Sequence, residues 1–240
     1  MKHPVSRARR GAAFTLVELL AVIAITGILA AIIIPVTGRV REAARISRCG
    51  SNVRQSALAM LLYAGENNGC LPPAITQVNG GDKYCFAGLL VERGYIARQS
   101  QVFTCPGDPS IARIRDAGYT PRSYALLSPL QGMTRGNYPT VNHVPVSLTV
   151  LSAAHPLSRT GMVSEWIQPD TTDMNMITVE GPWGSIYGNN LIANSADARG
   201  STGHREGCRN VAFCDGHVKF MSPPEMLVNN NEIWKKPDQR

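Results

Sequence analysis

The sequence lacks the short motifs on which most catalytic sites are built. It contains no glycine-rich phosphate loop, no nucleophile elbow and no paired-carboxylate motif. It also lacks internal repeats and low-complexity tracts, and its 44% hydrophobic content is typical of a folded chain of one or two domains. We therefore expect no enzymatic activity and no cofactor.

Acidic residues are missing from the N-terminal segment, residues 1–13, which holds Lys2, Arg7, Arg9 and Arg10. Without these four, 20 basic residues face 17 acidic ones, and the net charge falls from +7 to about +3. Such a small excess does not provide the strongly positive surface that binds nucleic acid. We expect residues 1–13 to form a basic leader peptide, and we expect no nucleic-acid partner.

One apolar run, FTLVELLAVIAITGILAAIIIPV, occupies residues 14–36, and Glu18 is its only charged residue. The run is long enough to cross a bilayer as a helix. A secretory signal peptide would end at a small-residue cleavage site, whereas this run continues into residues 37–68, whose apolar positions recur at helical spacing. We predict one helix from about Phe14 to Glu66, ended by the Asn-Asn-Gly sequence that follows.

The remainder, residues 69–240, contains short apolar runs separated by glycine, proline, asparagine and aspartate, a pattern that favours strands and loops. One short helix is predicted around Phe86 to Arg93. The predicted strand or loop segments are QVFTC, SYALL, VSLTVL, GMVSEW and NVAFCDGHVKF. A long helix packed on a small antiparallel sheet is an α+β fold.

The segment NVAFCDGHVKF predicts a β-hairpin whose two-residue turn is the Asp-Gly sequence at 215–216. This register places Phe213 opposite Val218 on an apolar side. On the other side it places Cys214 opposite His217.

Six cysteines are typical of a domain that matures in an oxidising compartment. The sequence alone does not determine their pairing. We favour a disulfide between Cys85 and Cys105, which flank an apolar segment, and one between Cys208 and Cys214, which flank a predicted strand.

The C-terminal region also offers donors for a metal ion. His204, Cys208, Cys214 and His217 could form a Cys2His2 site, and Asp215 could bind calcium in the hairpin turn. A disulfide, two surface histidines and an ordinary Asp-Gly turn account for the same residues. We therefore expect no bound metal.

The sequence RRGAAFTLVELLAVIAITGILAAIIIPV resembles the N-terminus of type IV prepilins and of the pseudopilins of type II secretion. The resemblance implies cleavage between Ala13 and Phe14, methylation of Phe14, and Glu18 as the fifth mature residue. It implies that Glu18 pairs with the Phe14 ammonium of a neighbouring subunit, and Pro35 lies where pilin helices commonly carry proline. The family usually has glycine where this chain has Ala13, but cutting after Gly11 would move Glu18 out of register.

A second segment, GHREGCRNVAFCDGHVKF, is similar to the C-terminal signature of a prepilin-like family, which consists of a histidine, nine residues and Asp-Gly. The corresponding residues here are His204, Asp215 and Gly216. This chain has ten residues between His204 and Asp215, one more than the pattern.

The resemblance implies a pilin-like α+β protein that serves as a structural subunit of a type II secretion pseudopilus or a type IV pilus-like filament. Its helix would cross the bacterial inner membrane once, with residues 69–240 outside the cytoplasm. Its partners would be prepilin peptidase, other pilin subunits, the inner-membrane assembly platform and membrane lipid.

Two other functions remain open. One is an anchored module that binds polysaccharide or another exported ligand, with Trp166 or Trp183 stacking on a sugar and Glu165 beside it. The other is a membrane-tethered metalloenzyme that uses the Cys2His2 set described above.

Overall fold

The computed structural model describes residues 15–77, 83–127, 145–167, 185–186, 204, 207–222 and 225–226. The chain divides into two compact units, residues 1–43 and 44–240. Ala13, Phe14 and Trp183 lie outside the described residues, so their predicted roles stay predictions.

In the first unit, the described residues belong almost entirely to the N-terminal part of helix α1 (Leu16–Glu66). The large apolar side chains of this part are exposed, and Leu16 is 80% exposed. By length and composition α1 is able to cross a membrane. At about 1.5 Å per residue, residues 16–36 extend about 30 Å, the thickness of the hydrocarbon core of a bilayer.

In the second unit, one face of α1 is buried. The buried positions recur every three or four residues and are Cys49, Asn52, Val53, Ser56, Ala57, Ala59, Met60 and Ala64. The helix ends at the predicted Asn-Asn-Gly sequence, where Asn68 and Gly69 have positive φ angles of 55° and 73°. The Gly69 N–H donates to the Ala64 carbonyl at 2.8 Å, which satisfies one of the last helical carbonyls.

Shorter elements follow α1. Strands β1 (Ile75–Gln77) and β2 (Lys83–Cys85) pair antiparallel. Helix α2 (Phe86–Glu92) confirms the predicted short helix, and helix α3 spans Ile111–Asp116.

Two segments for which strands or loops were predicted are helical. QVFTC contains a 3₁₀ turn at Gln101–Phe103, and VSLTVL leads into helix α4 (Leu148–Ala154). Short apolar runs do not distinguish a strand from a helical segment, and here α4 buries only Leu151.

The main sheet has the strand order β5-β3-β4-β6-β7. Its strands are β3 (Tyr124–Leu127), β4 (Gly161–Glu165), β5 (Ser185–Ile186), β6 (Arg209–Phe213) and β7 (Val218–Met221). Strands β3, β4, β6 and β7 pair antiparallel with one another in that order, whereas β5 pairs parallel with β3 at one edge. The predicted α+β fold with a long helix and a small antiparallel sheet is confirmed.

Apolar side chains cover both faces of this sheet. In β3, Tyr124 and Leu126 belong to the cluster that includes the buried face of α1, while Ala125 and Leu127 belong to a second cluster with Trp166. This alternation follows the two-residue period of a strand. The sheet is therefore the middle layer of the second unit's core.

The β6–β7 hairpin forms where it was predicted, but its register differs by one residue. Val218 pairs with Ala212, and the Phe213 N–H donates to the His217 carbonyl at 2.9 Å. The connection therefore has three residues rather than two, and only Gly216 in it has a positive φ, at 88°. A type I turn followed by a left-handed glycine explains the shift, because the predicted two-residue turn needs positive φ at both positions. The Phe213 ring stacks on His217 at 4.2 Å.

We expect Gly216→Ala to destabilise the second unit more than Gly94→Ala does. The φ angles of Gly216 and Gly94 are +88° and +80°. A Cβ on Gly216 would lie 3.3 Å from Leu61 Cδ1, whereas one on Gly94 would meet nothing within 4 Å. Holding alanine at a positive φ costs about 1–2 kcal/mol at either position. Only Gly216→Ala also brings a Cβ into close contact with Leu61. Urea unfolding of the full chain in detergent measures the difference. Equal losses would contradict the packing of the turn against α1.

Candidate functional site

The start of α1 is a capping box formed by Thr15 and Glu18. The Thr15 N–H and hydroxyl donate to Glu18 Oε2 at 2.9 and 2.8 Å, and the Glu18 N–H donates to Thr15 Oγ1 at 3.2 Å. These bonds satisfy N–H groups that the first helical turn leaves without helical partners. The T-x-x-E pattern at 15–18 signals this motif in the sequence, but the prediction above considered only the charge of Glu18.

The capping box leaves the Glu18 carboxylate able to accept more hydrogen bonds. Both bonds from Thr15 reach Oε2, and an ionised carboxylate has about four acceptor positions. Glu18 can therefore cap its own helix and still accept from a cation outside the chain.

Helix α1 continues through Pro35. Proline has no N–H to donate, so one backbone hydrogen bond is missing at this point. Two threonine hydroxyls near it bond to helical carbonyls: Thr26 Oγ1 donates to Val22 at 2.9 Å, and Thr37 Oγ1 donates to Ile34 at 2.8 Å. Hydroxyls that are satisfied in this way fit an apolar surrounding.

A second polar cluster lies inside the second unit. Cys49 of α1 is bonded to Cys105, with a Cα–Cα distance of 5.2 Å. His204 Nε2 lies 3.8 Å from Cys105 Sγ and 3.1 Å from Glu165 Oε1. The side chains of His204 and Glu165 are fully buried. A buried carboxylate is costly unless it is hydrogen-bonded.

Asn210 and Arg209 supply much of that stabilisation. The Asn210 N–H donates to Glu165 Oε2 at 3.1 Å, and its amide Nδ2 donates to Glu165 Oε1 at 2.8 Å. Burial lowers the pKa of Arg209 to about 10, although the Glu165 charge acts to raise it. Arg209 is therefore still charged at neutral pH, and its Nη1 donates to the backbone carbonyl of Glu165 at 3.2 Å.

The predicted disulfides are wrong. Cys105 is bonded to Cys49, and the thiol of Cys85 instead accepts from the Gly88 N–H at the start of α2. Cys208 and Cys214 lie at opposite ends of extended strand β6, about 20 Å apart at 3.3 Å per residue. A disulfide requires Cα atoms within about 7 Å.

The alternative Cys2His2 set is not brought together among the residues that the structure describes. His204 lies with Cys49, Cys105 and Glu165, and their donor atoms are all within 4.8 Å of one another. His217 instead donates from its N–H and ring to Asp215 Oδ1, at 3.1 and 2.6 Å. Partial burial raises the pKa of Asp215, but these bonds lower it below the ordinary value.

Two of the candidate sugar-binding residues, Trp166 and Glu165, are also buried. Trp166 is only 7% exposed and belongs to the second apolar cluster. Glu165 is enclosed by Asn210 and His204. Neither side chain presents an open stacking surface.

An exposed apolar helix that is long enough to cross a membrane, together with a small folded sheet, fits a membrane-anchored α+β protein. Residues 8–34 match the family model described as a prokaryotic N-terminal methylation motif. The match supports a type IV pilin-like or pseudopilin-like protein that prepilin peptidase processes, and it does not extend to the C-terminal signature. Comparison with curated proteins and with solved structures finds no match.

We expect Gly50→Ala to destabilise the protein although alanine is the better helix former. A Cβ on Gly50 would lie 3.0 Å from Asn210 Oδ1 and would press on the amide that holds Glu165. Helix propensity alone predicts a gain of up to about 1 kcal/mol. Gly65→Ala is the matched control, because its Cβ meets nothing within 4 Å in the same helix. Thermal unfolding should show a loss for Gly50→Ala and no loss for Gly65→Ala. A gain in stability for both variants would show that the Asn210 side chain moves aside at little energetic cost.

Proposed function

We propose that the chain is a structural subunit, either a pseudopilin or a minor pilin, of a type II secretion pseudopilus or a type IV pilus-like filament. The observation that carries this proposal is the exposed apolar part of α1 together with the methylation motif at residues 8–34. The subunit would wait in the bacterial inner membrane with its folded unit outside the cytoplasm. An inner-membrane assembly platform would then extract it.

The exposed apolar surface supports assembly because it needs a partner other than water. Large apolar side chains surround the helix from Leu16 to Val40 without a polar face. Such a helix is covered by lipid before assembly and by other helices in a filament. Within the described residues, no part of the chain itself buries it.

Glu18 would set the register between neighbouring subunits. After cleavage the new N-terminal ammonium of Phe14 would lie beside the Glu18 carboxylate of the next subunit. Two unit charges about 4 Å apart attract by about 4 kcal/mol at an effective dielectric of about 20. Breaking such a pair in an apolar bundle leaves an uncompensated charge, so mispaired registers are disfavoured.

We propose a structural rather than a catalytic role for the second unit. Its buried acidic residues are engaged with neighbouring side chains: Glu165 with His204 and Asn210, and Asp108 with Ser110 and Ser123. These contacts support a rigid folded head that the filament displays.

The first test is the mature N-terminus of the protein from its native membrane. Intact mass and N-terminal sequencing should show a chain that begins with methylated Phe14. Gly11→Ala is the control for the position of the cut, because it should not change processing after Ala13. A chain that still carries residues 1–13 would contradict filament assembly and would favour a permanently anchored binding module.

The second test separates the two roles of Glu18. Glutamine can replace glutamate in a capping box but carries no charge, so Glu18→Gln should be processed normally and yet fail to enter filaments. Thr15→Ala, which removes the hydroxyl but keeps the Glu18 charge, should assemble. Electron microscopy of sheared filaments and immunoblotting measure assembly.

Glu42→Gln is the matched control, because it makes the same chemical change on the same helix outside residues 14–36. Wild-type filament yield from Glu18→Gln would mean that Glu18 acts only as a helix cap.

A further inference from the structure

Four buried side chains of types that bind metal ions lie together at the Cys49–Cys105 disulfide. They come from separate parts of the second unit: Cys49 from α1, Cys105 from the segment after the 3₁₀ turn, Glu165 from the end of β4, and His204 from the chain before β6. Their donor atoms lie within 4.8 Å of one another, and all four residues are buried. In the oxidised protein the two sulfur atoms are bonded to each other.

We propose that reduction of this disulfide creates a Zn²⁺ site whose ligands are Cys49, Cys105, Glu165 and His204. Two thiolates, one imidazole and one carboxylate are ligands that zinc takes in proteins, and four ligands complete its tetrahedral coordination. The zinc ion would then replace the disulfide as the link between α1 and the Cys105 segment, through coordination bonds to the two sulfur atoms.

The distances fit a tetrahedral ion. Zinc–ligand bonds of about 2.0–2.3 Å place the ligand atoms about 3.3–3.8 Å from one another. His204 Nε2 is already 3.8 Å from Cys105 Sγ and 3.1 Å from Glu165 Oε1. Once the S–S bond is broken, the sulfur atoms need to separate by only about 2 Å, which side-chain rotation can provide.

The scaffold around the site does not depend on the disulfide alone. Asn52 of α1 donates from Nδ2 to the carbonyls of Gln101 and Thr104, at 3.2 and 2.8 Å. The Tyr124 hydroxyl donates to the same Thr104 carbonyl at 3.1 Å. These bonds hold α1, the Cys105 segment and β3 together, so the reduced chain keeps the four ligands close.

Neighbouring groups orient two of the ligands. The Gly107 N–H donates to Cys105 Sγ at 3.4 Å, which favours a thiolate. Asn210 holds both oxygens of Glu165. Such outer contacts are the usual means by which proteins fix the orientation of metal ligands.

The chemistry balances with a dithiol or phosphine reductant. Two electrons and two protons convert the disulfide into two thiols. A dithiol supplies both and becomes a disulfide, whereas a phosphine supplies the electrons and becomes a phosphine oxide, with water giving the oxygen and the protons. Zinc binding then releases one proton from each thiol. Because Nε2 binds a metal only when it carries no proton, the imidazole proton would sit on Nδ1, and Nε2 and the Glu165 carboxylate oxygen would both face the metal.

Cobalt substitution tests the site directly. The full chain is expressed in a reducing cytoplasm, extracted in detergent with a phosphine reductant throughout, and titrated with Co²⁺. One Co²⁺ per chain should bind, with a thiolate-to-cobalt charge-transfer band and the visible bands of tetrahedral cobalt, and Zn²⁺ should remove both. The oxidised chain should show neither band.

The controls separate this cluster from the other cysteines. Cys49→Ser and His204→Ala should weaken cobalt binding at least tenfold, whereas Cys70→Ser, which removes a thiol outside the cluster, should not. Unchanged bands in Cys49→Ser or His204→Ala would overturn the proposal, as would reduced wild-type protein that binds no stoichiometric cobalt.

A second measurement needs no substitution. Zn²⁺ should slow alkylation of Cys49 and Cys105 in the reduced wild-type chain, mapped by mass spectrometry, and should leave Cys70 unaffected. Equal alkylation rates with and without Zn²⁺ would also overturn the proposal. Neither experiment depends on filament assembly, so its failure would leave the proposed structural role standing.

Discussion

The helix α1 is the element on which the rest of the molecule depends. Apart from the bond that Pro35 cannot donate, its backbone hydrogen bonds are made within the helix, which is the condition for a backbone to lie in lipid. Its residues up to Val40 expose apolar side chains, whereas its face from Cys49 onward is part of the core. One continuous helix therefore has an exposed apolar part and a part that packs in the core, and the two parts differ only in the pattern of their side chains.

The buried end of α1 is joined to the sheet by polar contacts as well as by packing. The Cys49 disulfide and the Asn52 amide connect it to the Cys105 segment. Asn210 of β6 donates to the Ile46 carbonyl of α1 at 3.3 Å and also to Glu165. Because Gly50 has no side chain, Asn210 can approach the helix closely enough to make these bonds. Asn210, which bonds to both Ile46 and Glu165, thus links the helix to the sheet.

At the other end, Glu18 caps the helix, and in the proposed filament it would also pair with a neighbouring subunit, a role that uses a different property of the side chain. Capping the helix requires an acceptor that reaches Thr15, while pairing with a neighbouring ammonium requires a negative charge. The methylation motif and the capped, exposed helix are consistent with both. The buried carboxyl groups of the folded unit, Glu165 and Asp108, are hydrogen-bonded within it.

The sequence by itself determined the long helix, its end at Asn-Asn-Gly, the short helix α2, the hairpin and the prepilin-type N-terminus. All of these are local: they follow from apolar periodicity, from turn residues, or from a motif within 27 contiguous positions, residues 8–34. Only the tertiary structure decided the partner of Cys105, the location of His204 beside Glu165, and the parallel edge strand β5. Cys49 and Cys105 are 56 residues apart, and no local pattern encodes a contact of that separation. The hairpin register depended on whether Asp215 as well as Gly216 takes a positive φ, and the packing of the turn against Leu61 accompanies the three-residue form.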